Sequence, residues 1–107
     1  MNAPASLKLP LPMDAIRAFC QRWNVSEFAL FGSVLHDDFN ADSDVDVMII
    51  FADRSGMTLF RLMTMTEELE ALFGRKVDLI TRQNIETSRN YVVRKQVLNN
   101  AQVIYAT

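Results

Sequence analysis

The chain has 107 residues, half of them hydrophobic, with a formal net charge of −2 and an isoelectric point near 5.3. This length suits one compact domain and leaves little room for a second. The acidic balance and the lack of a basic patch argue against stable, direct binding of nucleic acid through its phosphates. No apolar run approaches the length of a membrane span, and the first residues lack the features of a signal peptide. We therefore expect a cytoplasmic protein without membrane contacts.

The N-terminal part of the sequence combines a proline-containing arm with a first helix. All three prolines lie in residues 1–12, which we expect to form an extended or mobile arm, so that residues 13–107 form the domain. From Met13 to Trp23, apolar residues recur at the spacing of one helical face. Cys20 falls in this stripe and is the only cysteine, so it cannot form an internal disulfide. We interpret it as a buried thiol.

The remaining pattern predicts alternating strands and helices. The expected elements, in chain order, are a strand over Glu27–Phe31, a polar loop over 34–43, a strand over Val45–Phe51, a loop over Ala52–Met57, a long helix over Thr58–Phe73 ended by Gly74, a strand over Lys76–Ile80, a polar connection over Thr81–Ser88, a helix over Arg89–Asn100 and a short strand over Val103–Tyr105. This order predicts a small α/β (α+β) domain with helices packed on one β-sheet.

Two aspartates, Asp44 and Asp46, belong to the second predicted strand. Because side chains alternate along a strand, both carboxylates point to one face, whereas Val45 and Val47 point to the other. The two carboxylates would lie roughly 6–7 Å apart, about two strand rises. At an effective dielectric constant of about 20, their repulsion costs about 2–3 kcal/mol. A divalent cation is the simplest means of neutralising them.

Three further residues complete the candidate site. Asp78 lies in the third predicted strand, between Val77 and Leu79, so it faces away from both of them. If this strand neighbours the second one, the three carboxylates converge and offer the hard oxygen ligands that suit Mg²⁺. Gly32 and Ser33 directly follow the first strand. Glycine allows a sharp turn, and the backbone amides with the serine hydroxyl could hold a phosphate oxygen.

Each of these features has a simpler explanation when it stands alone. A Gly-Ser pair is more typical of a plain turn. An Asp-x-Asp pair also fits solvent-exposed aspartates at the start of a strand. A lone aspartate such as Asp78 is more often an edge or surface residue. The combination in this order is much more specific than any one of its parts.

Together, Gly32-Ser33, Asp44-x-Asp46 and Asp78 resemble the motifs of the minimal nucleotidyltransferases of the DNA polymerase β superfamily. The resemblance covers most of the chain outside the proline arm, including the segments 31–34, 42–47, 74–79 and the tail over 91–105. It implies a small mixed β-sheet with flanking helices, Mg²⁺ as cofactor and a nucleoside triphosphate, favoured to be ATP, as the donor substrate.

The resemblance also implies a role for each candidate residue. By position, Asp44 and Asp46 resemble the metal ligands of the family. Asp78 resembles the third carboxylate, which helps to bind metal and activates the acceptor. Gly32 and Ser33 resemble the pair that holds the triphosphate. None of these positions departs from the family pattern.

The resemblance further suggests a biological setting. Family members of this size commonly act as the antitoxin of a two-component pair, in which they add AMP to a tyrosine of a helical HEPN-type ribonuclease toxin. An enzyme of this kind could also form an oligomer with its toxin. Two alternatives remain open: a non-catalytic antitoxin that acts by binding only, and a nucleotidyltransferase with a small-molecule or RNA acceptor. A phosphate-accepting receiver domain is disfavoured, since it would use a single phosphoacceptor aspartate and a downstream lysine.

Two other groups of residues have plain structural interpretations. Met57, Met63 and Met65 are most simply core residues, although any exposed part of this stripe would be a surface for a partner. Arg75 and Lys76 could face an anionic substrate, but an interaction with the C-terminus of the preceding helix is enough to explain them.

Overall fold

The computed structural model describes residues 11–32, 43–52, 58–86, 95, 98 and 100–107. The secondary-structure elements of these residues, in chain order, are α1 (Met13–Trp23), β1 (Val25–Phe31), β2 (Val45–Phe51), α2 (Leu59–Phe73), β3 (Val77–Thr81), α3 (Arg82–Glu86) and β4 (Gln102–Ala106). The predicted proline arm lies almost wholly outside the described residues, as does most of the predicted helix over Arg89–Asn100.

The four strands form one mixed sheet in the order β3-β2-β1-β4. β1 pairs antiparallel with both β2 and β4, whereas β2 and β3 run parallel. The parallel pair requires a crossover connection, and α2 provides it. The predicted fold class, a small mixed sheet with helices packed on it, is confirmed.

One face of the sheet carries the main hydrophobic core. β2 presents Val45, Val47 and Ile49 to this face, and all three are fully buried. α1 and α2 cover them with fully or almost fully buried apolar side chains: Ile16, Phe19, Cys20, Met65 and Leu69. Burying a side chain of this kind contributes about 1.5–3 kcal/mol. Within the part of the chain that the structure describes, this face therefore holds most of the buried apolar side chains.

Local backbone signals set the ends of the two long helices. α1 ends at Asn24, which adopts the left-handed conformation with φ of 59°. The Thr58 hydroxyl accepts a hydrogen bond from the Arg61 amide at 3.1 Å and so caps the start of α2. α2 ends at Gly74, whose φ is 72° and whose amide donates to the Glu70 carbonyl at 2.8 Å. The sequence prediction of Gly74 as the helix stop is confirmed.

A polar contact around Glu68 ties α1 to α2. The indole Nε1 of Trp23 donates to Glu68 Oε2 at 2.7 Å, and Arg22 forms an ion pair with the same carboxylate. The Arg61 guanidinium lies 5.5 Å from the centroid of the Trp23 ring, at cation–π distance. These contacts fix how the two helices sit side by side on the core face.

On the opposite face of the sheet, the described residues form a second apolar cluster. Its buried residues are Ala29 and Met48, against which Phe31, Ile80, Ile85, Leu98 and Ala101 pack. Ile85 belongs to α3, so this short helix covers part of the face that α1 and α2 leave open. The candidate site lies on this second face.

Two element predictions differ from the structure. β1 begins at Val25 rather than at Glu27. Val25 pairs with Phe51, and a bulge separates this pair from the pairing of Glu27. Because the neighbours of Val25 are polar, the sequence pattern does not show that the strand starts there. α3 occupies a segment that we expected to be a polar connection. Its five residues are too few to show helical periodicity, and the Thr81 hydroxyl caps it by accepting from the Asn84 amide at 3.2 Å.

Three further expectations concern burial and length. Cys20 is buried as predicted, and burial raises the pKa of its thiol to about 12. Met65 is buried as predicted, but Met63 is 56% exposed, so its assignment to the core is wrong. None of the helices within the described ranges is long and apolar enough to cross a membrane.

Candidate active site

The structure brings Asp46 and Asp78 side by side. They are register partners in the parallel β2–β3 pair. Partners in a parallel pair share a face of the sheet, and their Cα atoms are about 4.8 Å apart. Asp78 is exposed and Asp46 is half-buried. The sequence could only assume that the strands of Asp46 and Asp78 are neighbours, and in the structure they are. Both residues lie on the face of the sheet opposite to α1 and α2.

Asp44 extends this pair along β2. It lies two residues before Asp46, directly ahead of the first strand residue, and it is exposed. By strand alternation it belongs to the same face as Asp46. The start of the strand is held against β3, because the Val45 amide donates to the Lys76 carbonyl at 2.9 Å. All three aspartates therefore cluster where β2 and β3 begin.

Gly32 lies directly against Asp46. Phe31, the last residue of β1, is the antiparallel register partner of Asp46, so the chain turns away from β1 beside this carboxylate. Gly32 adopts a φ of 77°, and a Cβ atom added to it would overlap Asp46 Oδ2. Only glycine adopts this positive φ without strain and also leaves the Asp46 side chain in its place. The backbone of Gly32 is thereby brought close to the Asp46 carboxylate.

Ser33, the other half of the predicted phosphate-holding pair, lies outside the described residues. That Ser33 holds a phosphate together with Gly32, the residue before it, remains a prediction.

The donor set fits a hard divalent cation by its chemistry. Carboxylate oxygens are the protein ligands that Mg²⁺ prefers, and it completes its shell with waters and substrate phosphates. In the described part of the chain, no three acidic, histidine or cysteine side chains are gathered closely enough to hold an ion as they stand. Because Asp46 and Asp78 are adjacent on one face, rotation about their Cα–Cβ bonds is enough to bring their oxygens together.

Arg75 is a contributor to the site that the sequence did not identify as such. Its guanidinium Nη1 donates to the Ser43 carbonyl at 3.2 Å, across 32 residues of sequence. The sequence suggested two roles for this residue: facing an anionic substrate, or interacting with the end of the preceding helix. In the structure it holds the backbone immediately before Asp44, and no sequence signal marks such a long-range contact.

Two cavities lined by residues that the structure describes lie away from the carboxylates. A cavity of about 240 Å³ is lined by residues at the far ends of β2 and β3 and by α3. A groove of about 430 Å³ lies beside α2. Of the three aspartates, Asp44 and Asp78 are exposed and Asp46 is half-buried.

Residues 13–104 match the family model described as a nucleotidyltransferase domain. The chain belongs to the nucleotidyltransferase family. The matched range covers every described residue of the carboxylate cluster and Gly32. The division into a proline arm over residues 1–12 and a domain over residues 13–107 stays a prediction.

Comparisons with individual proteins agree with this assignment. The chain is 31% identical over 78 residues to the protein adenylyltransferase MntA of Thermococcus cleftensis, covering 73% of this chain and 77% of the relative. A solved structure of a toxin–antitoxin complex with AMP-PNP matches with a TM-score of 0.70 at 20% identity, over 91% of this chain and 75% of the matched one. A complex of a tri-AMPylated Shewanella oneidensis HEPN toxin with an MNT antitoxin matches with a TM-score of 0.62 at 20% identity, over 89% and 70%. At such identities the two structural matches establish the fold alone.

Proposed function

We propose that this chain is a Mg²⁺-dependent protein adenylyltransferase that moves AMP from ATP onto a tyrosine hydroxyl of a HEPN-type toxin, and so acts as its antitoxin. The observation that carries the proposal is the register pairing of Asp46 with Asp78 on one face, with the Gly32 backbone against Asp46. This arrangement occurs in a chain of the nucleotidyltransferase family.

Asp44 and Asp46 are the residues suited to hold the metal. Asp46 lies on β2 and Asp44 directly ahead of its first residue, and the contacts of Val45 and Arg75 fix the backbone that carries them. When bound, Mg²⁺ supplies positive charge that offsets the charge of the triphosphate and that of the leaving pyrophosphate. Holding the two carboxylates on a rigid strand means that little reorganisation is required when the substrate arrives.

Gly32 and Ser33 are suited to hold the phosphates. Because Gly32 has no side chain, a phosphate oxygen can approach the backbone amides after β1 while Asp46 stays in place. The Ser33 hydroxyl would add one further hydrogen bond to the same triphosphate.

Asp78 is suited to activate the acceptor. It is exposed, so a hydroxyl group on another protein can reach it, and it lies next to Asp46. It would accept the proton of the tyrosine hydroxyl while the tyrosine oxygen forms a bond to the α-phosphorus of ATP. The bond between the α-phosphorus and the bridging oxygen breaks, and pyrophosphate leaves in line with the attack.

Support for a protein acceptor comes from the relatives. The Thermococcus cleftensis relative is named a protein adenylyltransferase, and one structural match is a complex in which a HEPN toxin is tri-AMPylated. The exposure of Asp44 and Asp78 is consistent with an acceptor that brings its own docking surface. The adenine preference is supported only by these relatives and by the family resemblance.

The test is transfer to a candidate HEPN-type partner, sought as the product of the gene next to the one that encodes this chain. Both proteins are co-purified, incubated with Mg²⁺ and each nucleoside triphosphate, and their intact masses are measured. We expect the partner to gain AMP from ATP with the wild-type chain and with Asp14→Asn. The latter removes an equivalent carboxylate from the exposed side of α1, where Asp14 contacts only Arg17 among the interactions described. Asp46→Asn should transfer nothing.

Two results would contradict this assignment. If the partner gains no nucleotide, and Asp46→Asn neutralises its toxicity as well as the wild-type chain does, the protein is an antitoxin that acts by binding alone. If AMP is instead recovered on RNA or on a small molecule, the acceptor class is wrong although the chemistry stands.

A further inference from the structure

The backbone on both sides of Asp44 is held by the connection between α2 and β3. Arg75 Nη1 donates to the carbonyl of Ser43, the residue before Asp44, at 3.2 Å. On the other side, the Val45 amide donates to the Lys76 carbonyl at 2.9 Å. The β2–β3 register begins at Val45, so Asp44 itself lies ahead of the ladder. Two consecutive residues of the connection therefore hold the two peptide groups that flank this exposed carboxylate.

A side chain from the last turn of α2 holds the backbone next to Asp78. Glu70 Oε2 accepts a hydrogen bond from the amide of Val77, the residue before Asp78, at 3.2 Å. The Glu70 carbonyl also accepts from the Gly74 amide at 2.8 Å, so Glu70 contacts both ends of the connection. Because the Lys76 carbonyl faces β2, the Val77 amide faces the other way. On that side β3 has no neighbouring strand among the described residues, and the Glu70 carboxylate supplies the acceptor.

The position of this backbone matters because the carboxylates must converge when a metal binds. In the described part of the chain, no three acidic, histidine or cysteine side chains stand close enough together to hold an ion. Mg²⁺ requires oxygen ligands at about 2.1 Å in near-ideal octahedral geometry. Side-chain rotation brings carboxylates to such distances only where the Cα atoms that carry them are already in place. The backbone at Asp44 and Asp78 therefore sets how much reorganisation an arriving metal requires.

We propose that Arg75 and Glu70 are positioning residues for the carboxylates of the candidate site, Arg75 for Asp44 and Glu70 for Asp78. Each acts through the backbone, by holding a peptide group next to the aspartate. Both side chains are half-buried, so their hydrogen bonds are partly shielded from water. The proposal rests on the Mg²⁺ site of the function proposed above, and it adds that metal affinity depends on hydrogen bonds made by the end of the crossover.

The sign of the effect separates positioning from electrostatics at Arg75. A guanidinium near a cation site repels the cation, so a loss of charge alone should strengthen metal binding. Arg75→Met removes the charge and the donor to the Ser43 carbonyl but keeps an unbranched side chain of similar length. If Arg75 acts by positioning, this variant should bind metal more weakly than the wild type.

Two substitutions make the same separation at Glu70. Glu70→Gln removes the negative charge but keeps an oxygen that accepts from the Val77 amide, whereas Glu70→Ala removes both. If the carboxylate acts by attracting the cation through space, both variants should bind metal more weakly. If it acts by holding the Val77 amide, Glu70→Gln should match the wild type and Glu70→Ala should not.

Mn²⁺ titration of the purified chain tests metal affinity without any acceptor. The free Mn²⁺ signal in electron paramagnetic resonance gives the dissociation constant, and Mn²⁺ takes the same oxygen ligands as Mg²⁺. Contacts that orient metal ligands contribute about 10–100-fold to metal affinity. Because Arg75 and Glu70 act through the backbone, we expect the lower end of this range, about tenfold weaker binding for Arg75→Met and for Glu70→Ala.

Two control variants account for lost stability and lost charge. Thr58→Ala removes the hydroxyl that caps the opposite end of α2 and so removes one hydrogen bond of similar length, 3.1 Å. Arg17→Met removes a guanidinium from the exposed side of α1, where it contacts Asp14. Both should bind Mn²⁺ as the wild type does. Denaturant unfolding of every variant should show that Thr58→Ala and Arg75→Met lose similar stability.

Amide hydrogen exchange of the metal-free chain tests the backbone contacts themselves. Glu70→Ala leaves the Val77 amide without its acceptor, so exchange at Val77 should become faster. Arg75→Met releases the segment before β2, so exchange at Val45 should become faster. Exchange at Ile49, further along β2, should not change in either variant.

Several results would overturn the proposal. One is an Mn²⁺ affinity and an amide exchange that are unchanged in both Arg75→Met and Glu70→Ala, and another is a wild-type chain that binds no Mn²⁺. An equal loss of affinity in Thr58→Ala would assign the effect to stability, and tighter binding in Arg75→Met would assign Arg75 an electrostatic role. Failure of the proposed function is distinguishable, because Mn²⁺ binding and amide exchange need no acceptor and would respond to the variants even if no nucleotide were transferred.

Discussion

The two faces of the sheet differ in what covers them, and β2 contributes to both. Towards α1 and α2 it presents Val45, Val47 and Ile49, which are fully buried. Towards the opposite side it presents Asp46 and then Met48, beneath a small apolar cluster. One face thus supplies cohesion and the other carries the candidate chemistry. A single strand can hold reactive carboxylates in fixed positions because its alternate residues are locked in the core.

The largest expected effect is a difference in the free energy of unfolding between a variant on the core face and a variant on the opposite face. Leu69→Ala removes a fully buried α2 side chain from the core face and should lower the free energy of unfolding by about 2–5 kcal/mol. Asp46→Asn should leave it unchanged or slightly raised without metal, because the substitution relieves repulsion between carboxylates. Chemical denaturation of both variants, with and without Mg²⁺, measures the contrast. A large loss of stability in Asp46→Asn would contradict the division of roles between the faces.

A second pair of variants compares two glycines in the same backbone conformation. Gly32 and Gly74 have φ values of 77° and 72°, but an added Cβ overlaps Asp46 at the first and meets nothing within 4 Å at the second. Alanine at either position should cost about 1 kcal/mol or more through backbone strain. Only Gly32→Ala should also displace Asp46 and abolish transfer. We would measure unfolding and AMP transfer for both; equal activity in the two variants would remove Gly32 from the site.

Sequence patterns predicted the helices and strands that have strong periodicity. They failed where long-range packing decides whether a segment is helical or which side chain is buried. α1 and the end of α2 were predicted to the residue, because an apolar stripe and Gly74 mark them. The five-residue α3 was missed. Met63 was assigned to the core because α2 is apolar on more than one side, and only the docking of the helix on the sheet selects Met65 as the buried residue.

The candidate site was likewise predictable only in part. Strand alternation predicts that Asp44 and Asp46 share a face; in the structure Asp46 belongs to β2, and Asp44 lies directly ahead of its first residue. That Asp78 lies in register with Asp46 depends on how α2 carries the chain across to β3, which no local signal encodes. The contact of Arg75 with the Ser43 carbonyl has the same origin, since it joins two segments that meet only after the crossover forms.

A smaller effect is expected at Ser33, on the catalytic side. If its hydroxyl holds the triphosphate, Ser33→Ala should weaken transition-state binding by about 1–3 kcal/mol, the range for a hydrogen bond to a charged group. The free energy of unfolding should not change. Steady-state transfer rates as a function of ATP concentration would reveal the loss. Unchanged kinetics would leave the serine with only a role in the turn.

The smallest expected effect lies on the core face, at Cys20. Burial raises the pKa of this thiol from 9.0 to about 12, so the folded protein holds the thiol proton more tightly than the unfolded chain does. The resulting stabilisation is fully present below pH 9 and is lost as the pH rises towards 12. Cys20→Ala should therefore show a flatter decline of unfolding free energy over this alkaline range than the wild type. At neutral pH, the native thiol should resist alkylation until the protein is unfolded in denaturant. Rapid labelling of the native chain would show that the core face opens readily and is not the cohesive side of the sheet.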